Sequence, residues 1–218
     1  GYLTIPKNSN GKNLPLIINP HGGPASRDIW TYNPEHQFFA SRGYAVLSMN
    51  FRGSLGYGRN HVKMANGQWG RKMQDDVTDS VKWAVEQGYA DPDNVCIYGA
   101  SYGGYAVMAG ITKTPELYKC AVNYVGVTDM GLLFSKMPKV WEIWEEQQKI
   151  EIGDYDNDKE YLDAVSPINL VDRIETPLYI VHGVRDWRVP IQHAQKLRKE
   201  LEKNGKVEGE DFWWMVKT

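Results

Sequence analysis

The 218-residue chain lacks several features that would point to particular functions. No stretch approaches the roughly 20 consecutive apolar residues of a membrane-spanning helix. The N-terminus, GYLTIPKNSNGK, does not have the basic-then-apolar pattern of a signal peptide. The net charge is −2, and no run rich in lysine or arginine is present that would follow a phosphate backbone. We therefore expect neither membrane insertion nor a nucleic acid partner.

Cysteines and metal-ligand patterns are equally scarce. The two cysteines, Cys96 and Cys120, lie in strand-like runs, where buried free thiols are favoured over a disulfide. Free thiols in turn favour a reducing, cytoplasmic location. The sequence has no H-E-x-x-H, no C-x-x-C pair and no helix with two histidines on one face. We therefore expect neither a metal nor another cofactor.

Short apolar runs alternate with helix-like runs along most of the chain. The strand-like runs are 14–19, 44–50, 94–98, 119–125, 177–182 and 211–217, and the helix-like runs are 34–42, 74–87, 102–113 and 191–204. This alternation predicts an α/β fold, with a mostly parallel sheet covered by helices on both faces. The segment 130–165 is helical and charged and has no strand, and we interpret it as an insertion over the carboxyl edge of the sheet.

The sequence Gly99-Ala100-Ser101-Tyr102-Gly103 fits G-x-S-x-G between a strand and a helix. A sharp strand-to-helix turn gives Ser101 a positive φ, which is tolerable only between small residues. Its hydroxyl then lies at a helix N-terminus, where unpaired N–H groups favour developing negative charge. A plain tight turn is the alternative, but the strand–turn–helix context favours a nucleophile.

A nucleophilic serine needs a base, an orienting carboxylate and donors for the oxyanion. The loop 21–24, HGGP, ends the first strand and offers one backbone N–H, and Tyr102 offers another. Asp186 follows a later strand, and the order serine then aspartate suits an α/β-hydrolase. We interpret His182 as a strand-end histidine bonded to backbone and His193 as a residue of the next helix, so neither is favoured as the base.

Taken together, several motifs identify a family. "HGGP", "FRGSLGYG", "GASYGGY", "VSPI" and "PLYIVHGVRDWRVP" occur in the order and spacing of the catalytic domain of the prolyl oligopeptidase family. The chain resembles these serine peptidases, which have an α/β-hydrolase fold, from "GYLTIP" to "FWWMVK", and the acylaminoacyl-peptidase and dipeptidyl-peptidase branches are the most similar. The resemblance implies Ser101 as nucleophile, Asp186 as triad acid and the N–H groups of Gly23 and Tyr102 as the oxyanion hole.

The same resemblance implies a pocket for the residue before the scissile bond. Its members here are Val127, Met130, Leu133 and Val189. Proline-preferring relatives tend to line this pocket with aromatic rings. Met130 and Leu133 therefore favour a broader apolar preference over a strict preference for proline.

The chain departs from the family pattern in two ways. The family's catalytic histidine lies on a loop after the last strand, roughly 30 to 40 residues past the aspartate, and none of the five histidines here occupies that place. The family also has a β-propeller ahead of the hydrolase. We expect residues 1–218 to be one hydrolase domain that begins and ends inside its natural boundaries and has little activity without the histidine loop.

Three functions remain open from the sequence. Cleavage of peptide bonds through an acyl-enzyme is favoured, with peptides as the substrates. A carboxylesterase acting on small esters would use the same turn, and a non-catalytic interaction domain would retain the fold without the chemistry. A dinucleotide-binding domain is not favoured because "GASYGG" has the wrong glycine spacing. Homo-oligomerisation is also left open.

Overall fold

Seven strands form a single, mostly parallel sheet in the computed structural model, which describes the backbone of residues 1–218 and every side chain except that of Glu142. The strands are β1 Tyr2–Thr4, β2 Leu14–Pro20, β3 Ala45–Met49, β4 Ala90–Ala100, β5 Cys120–Tyr124, β6 Leu178–Gly183 and β7 Phe212–Lys217. Their spatial order is β1-β3-β2-β4-β5-β6-β7. Only β1 pairs antiparallel, so β2 to β7 all end at the same edge.

Eight helices connect the strands. They are α1 Pro34–Ala40, α2 Arg59–Lys63, α3 Lys72–Glu86, α4 Tyr102–Lys113, α5 Met130–Ser135, α6 Glu145–Glu151, α7 Lys159–Ala164 and α8 Gln192–Lys203. α5, α6 and α7 fall in the segment 130–165, together with a 3₁₀ segment at Lys139–Trp144 and no strand. None of the described helices is long and apolar enough to cross a bilayer.

Local sequence accounts for two of these helices, α1 and α3. α1 begins where Oδ1 of Asn33 accepts the N–H groups of Glu35 and His36 and a proline occupies the first position. α3 buries Met73 and Val77 and continues that face at helical spacing. Its opposite face is polar, so α3 covers the sheet with one side only.

Helices cover both faces of the sheet, as the alternation predicts. On β4, the side chain of Ile97 lies against Gly110 of α4. The next residue, Tyr98, packs its ring against Phe39 and donates its hydroxyl hydrogen to Glu35 of α1. Because successive side chains of a strand point to opposite faces, α4 and α1 lie on opposite sides. Tyr98 is thus a contact between the central strand and the helix on the far face.

The prediction of free thiols is wrong, because Cys96 and Cys120 form a disulfide with Cα atoms 4.7 Å apart. The two residues are directly paired in the register of β4 and β5. Neighbouring strands lie about 4.8 Å apart, a separation that a disulfide spans. The sequence puts the two cysteines in two strands, but it does not show that these strands are neighbours or which of their residues are paired. The strand order and register decide whether the disulfide can form.

The disulfide closes a loop that contains the β4–α4 turn and all of α4, with a sequence separation of 24 residues. We predict that reduction lowers the free energy of unfolding by about 2–4 kcal/mol, because the unfolded chain regains the entropy of that loop. Urea unfolding of the full-length protein with and without reductant measures the effect. The Cys96→Ala/Cys120→Ala double variant should be insensitive to reductant, and an equal response of both proteins would contradict the prediction.

Candidate active site

Ser101 occupies the sharp turn predicted between β4 and α4. Its backbone has φ 58° and ψ −119°, so the positive φ expected from the motif is present. Its N–H donates to the carbonyl of Tyr124 at the end of β5, at 3.0 Å. The turn is therefore tied to the neighbouring strand, and the serine is held at the N-terminus of α4.

Three glycines allow this turn because backbone atoms occupy the space that their side chains would need. A Cβ on Gly99 would lie 2.5 Å from the carbonyl oxygen of Gly103, and one on Gly104 would lie 2.6 Å from Cα of Gly126. A Cβ on Gly103 would collide with the carbonyl oxygen of Pro20, the last residue of β2. The motif thus needs glycine at these positions, because β4, α4 and the end of β2 pack too closely there for a Cβ.

The loop after β2 lies next to the serine. A Cβ added to Gly22 would be 3.5 Å from Cβ of Ser101. The ring of His21 stacks on Phe51 with centroids 4.3 Å apart. With its proton on Nδ1, the ring donates to the carbonyl of Gly22 and accepts from the Ser54 hydroxyl at Nε2, each at 2.8 Å. His21 therefore fixes the shape of the loop that carries Gly23.

Ser54 belongs to the FRGSLGYG loop, which is itself anchored to α3. The backbone N–H and the guanidinium of Arg52 donate to the carboxylate of Asp76, with distances of 2.6 to 2.8 Å. These contacts of Arg52 hold the loop against α3. A bidentate arginine–carboxylate pair of this kind holds its geometry well, and through Ser54 it supports His21.

The backbone N–H groups of Gly23 and Tyr102 have no hydrogen-bond partner among the described residues. Both residues line the cavity that also contains Ser101. The side chain of Tyr102 is buried against Phe51 and Trp69, and burial raises the pKa of its hydroxyl above the ordinary value. Its phenol is therefore neutral.

Asp186 lies in the loop after β6, beside the same cavity. Its Oδ1 accepts the N–H groups of Arg188 and Val189, both at 2.9 Å, and these two residues line the cavity. Its Oδ2 has no partner among the described residues. Nε2 of His182 contacts the carbonyl of Val189 at 2.8 Å. This contact confirms the predicted backbone-bonded role of His182. It also holds the C-terminal end of the Asp186 loop in place.

No histidine in the described chain lines the cavity. His36 contacts Asn19 and His61 contacts the carbonyl of Phe51. Burial lowers the pKa of His36 and of His182, so both are neutral near pH 7. None of these rings is placed to accept a proton from Ser101.

The cavity has a volume of about 720 Å³. The loops at the carboxyl ends of the strands form one wall of the cavity, and Trp69 also belongs to that wall. The segment 130–165 forms the opposite wall through Leu133, Met137, Trp141, Trp144, Gln147, Gln148, Glu151 and Ile152. Apart from Leu133, none of these residues was predicted from the sequence to line a site.

Three of the four residues assigned by resemblance to the substrate pocket line the cavity: Val127, Leu133 and Val189. Met130 does not. It is fully buried, and its backbone N–H donates to Oγ of Ser166 at 2.9 Å. This bond holds the first turn of α5 against the segment that follows α7, so Met130 belongs to the core behind the cavity rather than to its lining.

Comparison with known proteins identifies the family. Residues 30–210 match the profile described as "Prolyl oligopeptidase family". The chain belongs to the prolyl oligopeptidase family. It is 40% identical over 210 residues to dipeptidyl aminopeptidase BIII of Pseudoxanthomonas mexicana, covering 92% of this chain and 30% of that protein. It is 30% identical over 209 residues to an acylamino-acid-releasing enzyme of Arabidopsis thaliana, covering 94% of this chain and 27% of the relative.

Solved structures share the fold of this chain. A puromycin-hydrolyzing peptidase of Mycobacterium tuberculosis superposes with a TM-score of 0.90 at 26% identity, covering 99% of this chain and 32% of that one. An acylaminoacyl peptidase of Pyrococcus horikoshii shares the fold, with a TM-score of 0.88. The chain therefore spans about a third of the length of the relatives it matches.

We predict that Gly103→Ala disturbs this prolyl oligopeptidase-type turn, because the added Cβ meets the carbonyl oxygen of Pro20. Labelling of Ser101 by a fluorophosphonate in the full-length protein should slow by roughly 100-fold, the cost of a small misplacement at a reacting atom. Gly183→Ala is the matched control because no atom lies within 4 Å of its added Cβ. Equal labelling rates in the two variants would show that the contact is unimportant.

His193 connects α8 to the cavity wall, and its burial predicts a stability that depends on pH. Its Nδ1 accepts the N–H of Thr128, the residue after Val127, at 3.2 Å, and Nε2 is buried without a partner among the described residues. Burial lowers the pKa of His193 from 6.5 to about 4. Between these values the unfolded chain binds more protons than the folded chain, so stability falls as the pH drops.

We predict that His193→Gln removes much of this dependence. From pH 7 to pH 5 the variant should lose about 2 kcal/mol less free energy of unfolding than the parent protein, an order-of-magnitude figure from the two pKa values. Glutamine retains an acceptor for the N–H of Thr128, so the contact itself is preserved. Urea unfolding at the two pH values measures the difference, and parallel losses in both proteins would refute the assignment.

Proposed function

We propose that this chain provides the nucleophile, the oxyanion hole and the orienting acid of a serine hydrolase that cleaves peptide bonds through an acyl-enzyme. One observation supports the proposal above the others. Ser101, held at positive φ at the start of α4, shares a cavity with Gly23 and Tyr102, whose backbone N–H groups have no partner among the described residues. Free N–H groups beside a serine at a helix N-terminus suit a tetrahedral oxyanion.

The proposed reaction is acyl transfer to water. Oγ of Ser101 attacks the carbonyl carbon of the scissile bond while a general base takes its proton, and the N–H groups of Gly23 and Tyr102 stabilise the oxyanion. The base then protonates the leaving amine, and a water molecule hydrolyses the ester on Ser101. Asp186 has Oδ1 engaged by its own loop, and its Oδ2 would accept the N–H of the base and stabilise its charged form.

The proposal requires a histidine that the described residues do not bring to the cavity. From the family resemblance we expect it on a loop after the strand corresponding to β7, which pairs with β6, the strand before the Asp186 loop. Because the matched relatives are about three times as long as this chain, we propose that the base and a β-propeller domain belong to other parts of the full-length protein.

Apolar walls favour an apolar residue before the scissile bond. Val127, Leu133 and Val189 are each almost fully buried where they line the cavity. Burial of an aliphatic side chain against such walls contributes about 1.5–3 kcal/mol. Peptides are favoured over simple esters because the matched relatives are named as peptidases or as an acylamino-acid-releasing enzyme.

The cytoplasmic location predicted from the sequence depended on free thiols. The disulfide between Cys96 and Cys120 removes that premise, since disulfides persist mainly in oxidising compartments. We therefore propose an oxidising location in place of the cytoplasm. Alkylation of thiols in freshly lysed cells tests this: unreactive cysteines 96 and 120 support the disulfide in the cell, and full alkylation supports a reduced cytoplasmic protein.

Replacement of the nucleophile tests the proposed function. In the full-length protein, Ser101→Ala should abolish fluorophosphonate labelling and lower kcat/KM on a peptide amide by at least about 10⁴-fold. Asp186→Asn should lower kcat/KM on the same peptide amide by roughly 10⁴-fold, while Ser101 should still be labelled to some extent. Ser41→Ala, at an exposed serine that caps α1, is the matched control.

The outcomes separate the three functions. Labelling of Ser101 with turnover of an apolar aminoacyl amide supports the peptidase. Labelling with turnover of a short aryl ester alone supports a carboxylesterase. An unlabelled Ser101 in the folded full-length protein favours a non-catalytic domain and overturns the proposal.

A further inference from the structure

The segment that follows β5 brings Val127 to the cavity wall through a strained turn. Val125 has φ 46°, a left-handed conformation that a β-branched residue rarely adopts and that persists only where the surrounding structure holds it. The N–H of Val125 donates to the carbonyl of Val181 on β6 at 2.9 Å. Oδ1 of Asn123 accepts the N–H of Gly126 at the same distance of 2.9 Å. These bonds hold the start of the turn, and the position of Val127 also depends on what holds its other end.

Thr128, the next residue, holds that end through two hydrogen bonds to His193 in the first turn of α8. Its backbone N–H donates to Nδ1 of His193 at 3.2 Å, and its Oγ1 donates to the carbonyl of His193 at 3.0 Å. Both residues are fully buried, so water does not compete for either bond. The Thr128–His193 clamp thus joins the residue after Val127 directly to α8.

The start of α8 is in turn fixed to the loop that carries Asp186. The backbone N–H of His193 donates to the carbonyl of Pro190 at 3.0 Å. Pro190 directly follows Val189, whose N–H donates to Oδ1 of Asp186 at 2.9 Å. Val127 and Val189 both line the cavity. The Thr128–His193 clamp therefore fixes one apolar wall of the cavity relative to the other.

Packing alone does not explain a histidine at position 193. Its Nε2 is buried and has no partner among the described residues, which is unfavourable for a polar atom. A leucine would fill a similar volume without that cost. The histidine supplies an acceptor that a leucine lacks, and Thr128 uses it. His193 does not line the cavity, so its effect on a substrate has to pass through Thr128.

We infer that His193 is a positioning residue for substrate selectivity. By holding Thr128 it sets the place of the Val127 wall, and this wall selects a large apolar side chain before the scissile bond. The inference rests on the proposed function, because it takes Val127 as part of the pocket for that side chain. A branched aliphatic side chain loses burial when the wall moves, whereas a single methyl group is too short to depend on it. The chemical step at Ser101 does not involve the clamp.

The test compares two peptidyl p-nitroanilides in the full-length protein that differ only in having leucine or alanine before the scissile bond. His193→Leu removes the acceptor and retains the bulk. We expect it to lower the leucine-to-alanine ratio of kcat/KM by roughly 10-fold, the lower end of the range for one methylene in an apolar pocket. The loss should come mainly from a higher KM for the leucine substrate. kcat/KM for the alanine substrate should change by less than about threefold, because its methyl group buries little surface at the wall.

Two further variants separate positioning from general stability. His193→Asn places Oδ1 close to the position of Nδ1 and should restore most of the parent ratio. His36→Leu is the matched control, because His36 is also a buried helical histidine with a side-chain contact, to Asn19, and it does not line the cavity. It should leave the ratio unchanged. Labelling of Ser101 by a small fluorophosphonate should proceed at the parent rate in all three variants.

The outcomes distinguish this inference from the proposed function. If Ser101 is labelled but His193→Leu affects both substrates equally, or His193→Asn does not restore the ratio, the positioning role is wrong and the hydrolase stands. If His193→Leu does not fold, Thr128→Val removes the Oγ1 bond and should lower the ratio by about threefold, within the range of one net hydrogen bond; an unchanged ratio overturns the inference. If the parent protein is neither labelled nor active, the proposed function fails and this inference fails with it.

Discussion

Close backbone packing around the turn between β4 and α4 is the constraint on which the rest of the site depends. Gly99, Gly103 and Gly104 leave no room for a Cβ because the carbonyl oxygens and Cα atoms of α4, of β2 and of the loop after β5 occupy that space. The chain therefore passes from strand to helix in one step, with Ser101 at φ 58°. A hydroxyl on such a turn projects at the N-terminus of α4 rather than into a strand–strand contact.

The parallel sheet then determines what surrounds that hydroxyl. β2, β4, β5 and β6 all end at one edge, so the HGGP loop, the serine turn, the segment at Val127 and the Asp186 loop meet there. Each loop has its own brace. His21 holds the HGGP loop through Ser54, and His182 holds the Asp186 loop through the carbonyl of Val189. Two histidines thus have structural roles at this site, and the proposed reaction needs a third one as its base.

The sequence predicted the parts of the fold and site that depend on local pattern. The strands, the long helices and the turn at Ser101 follow from periodicity and glycine spacing. The roles assigned to Gly23, Tyr102 and Asp186 stay predictions. The disulfide was missed because it depends on the register of β4 against β5. Met130 was misplaced, and Trp141 and Glu151 were not predicted, because the path of the segment 130–165 over the cavity is set by tertiary contacts. In sequence, Glu151 resembles any solvated acidic residue of a short helix.

A crystal structure of the full-length protein with a covalently bound phosphonate would test the central claim most directly. The account predicts phosphorus bonded to Oγ of Ser101, with the phosphonyl oxygen about 2.7–3.1 Å from the backbone nitrogens of Gly23 and Tyr102. It also predicts that Ser101 retains its positive φ in the adduct. A phosphonyl oxygen directed away from those two nitrogens, or an adduct on another residue, would contradict it.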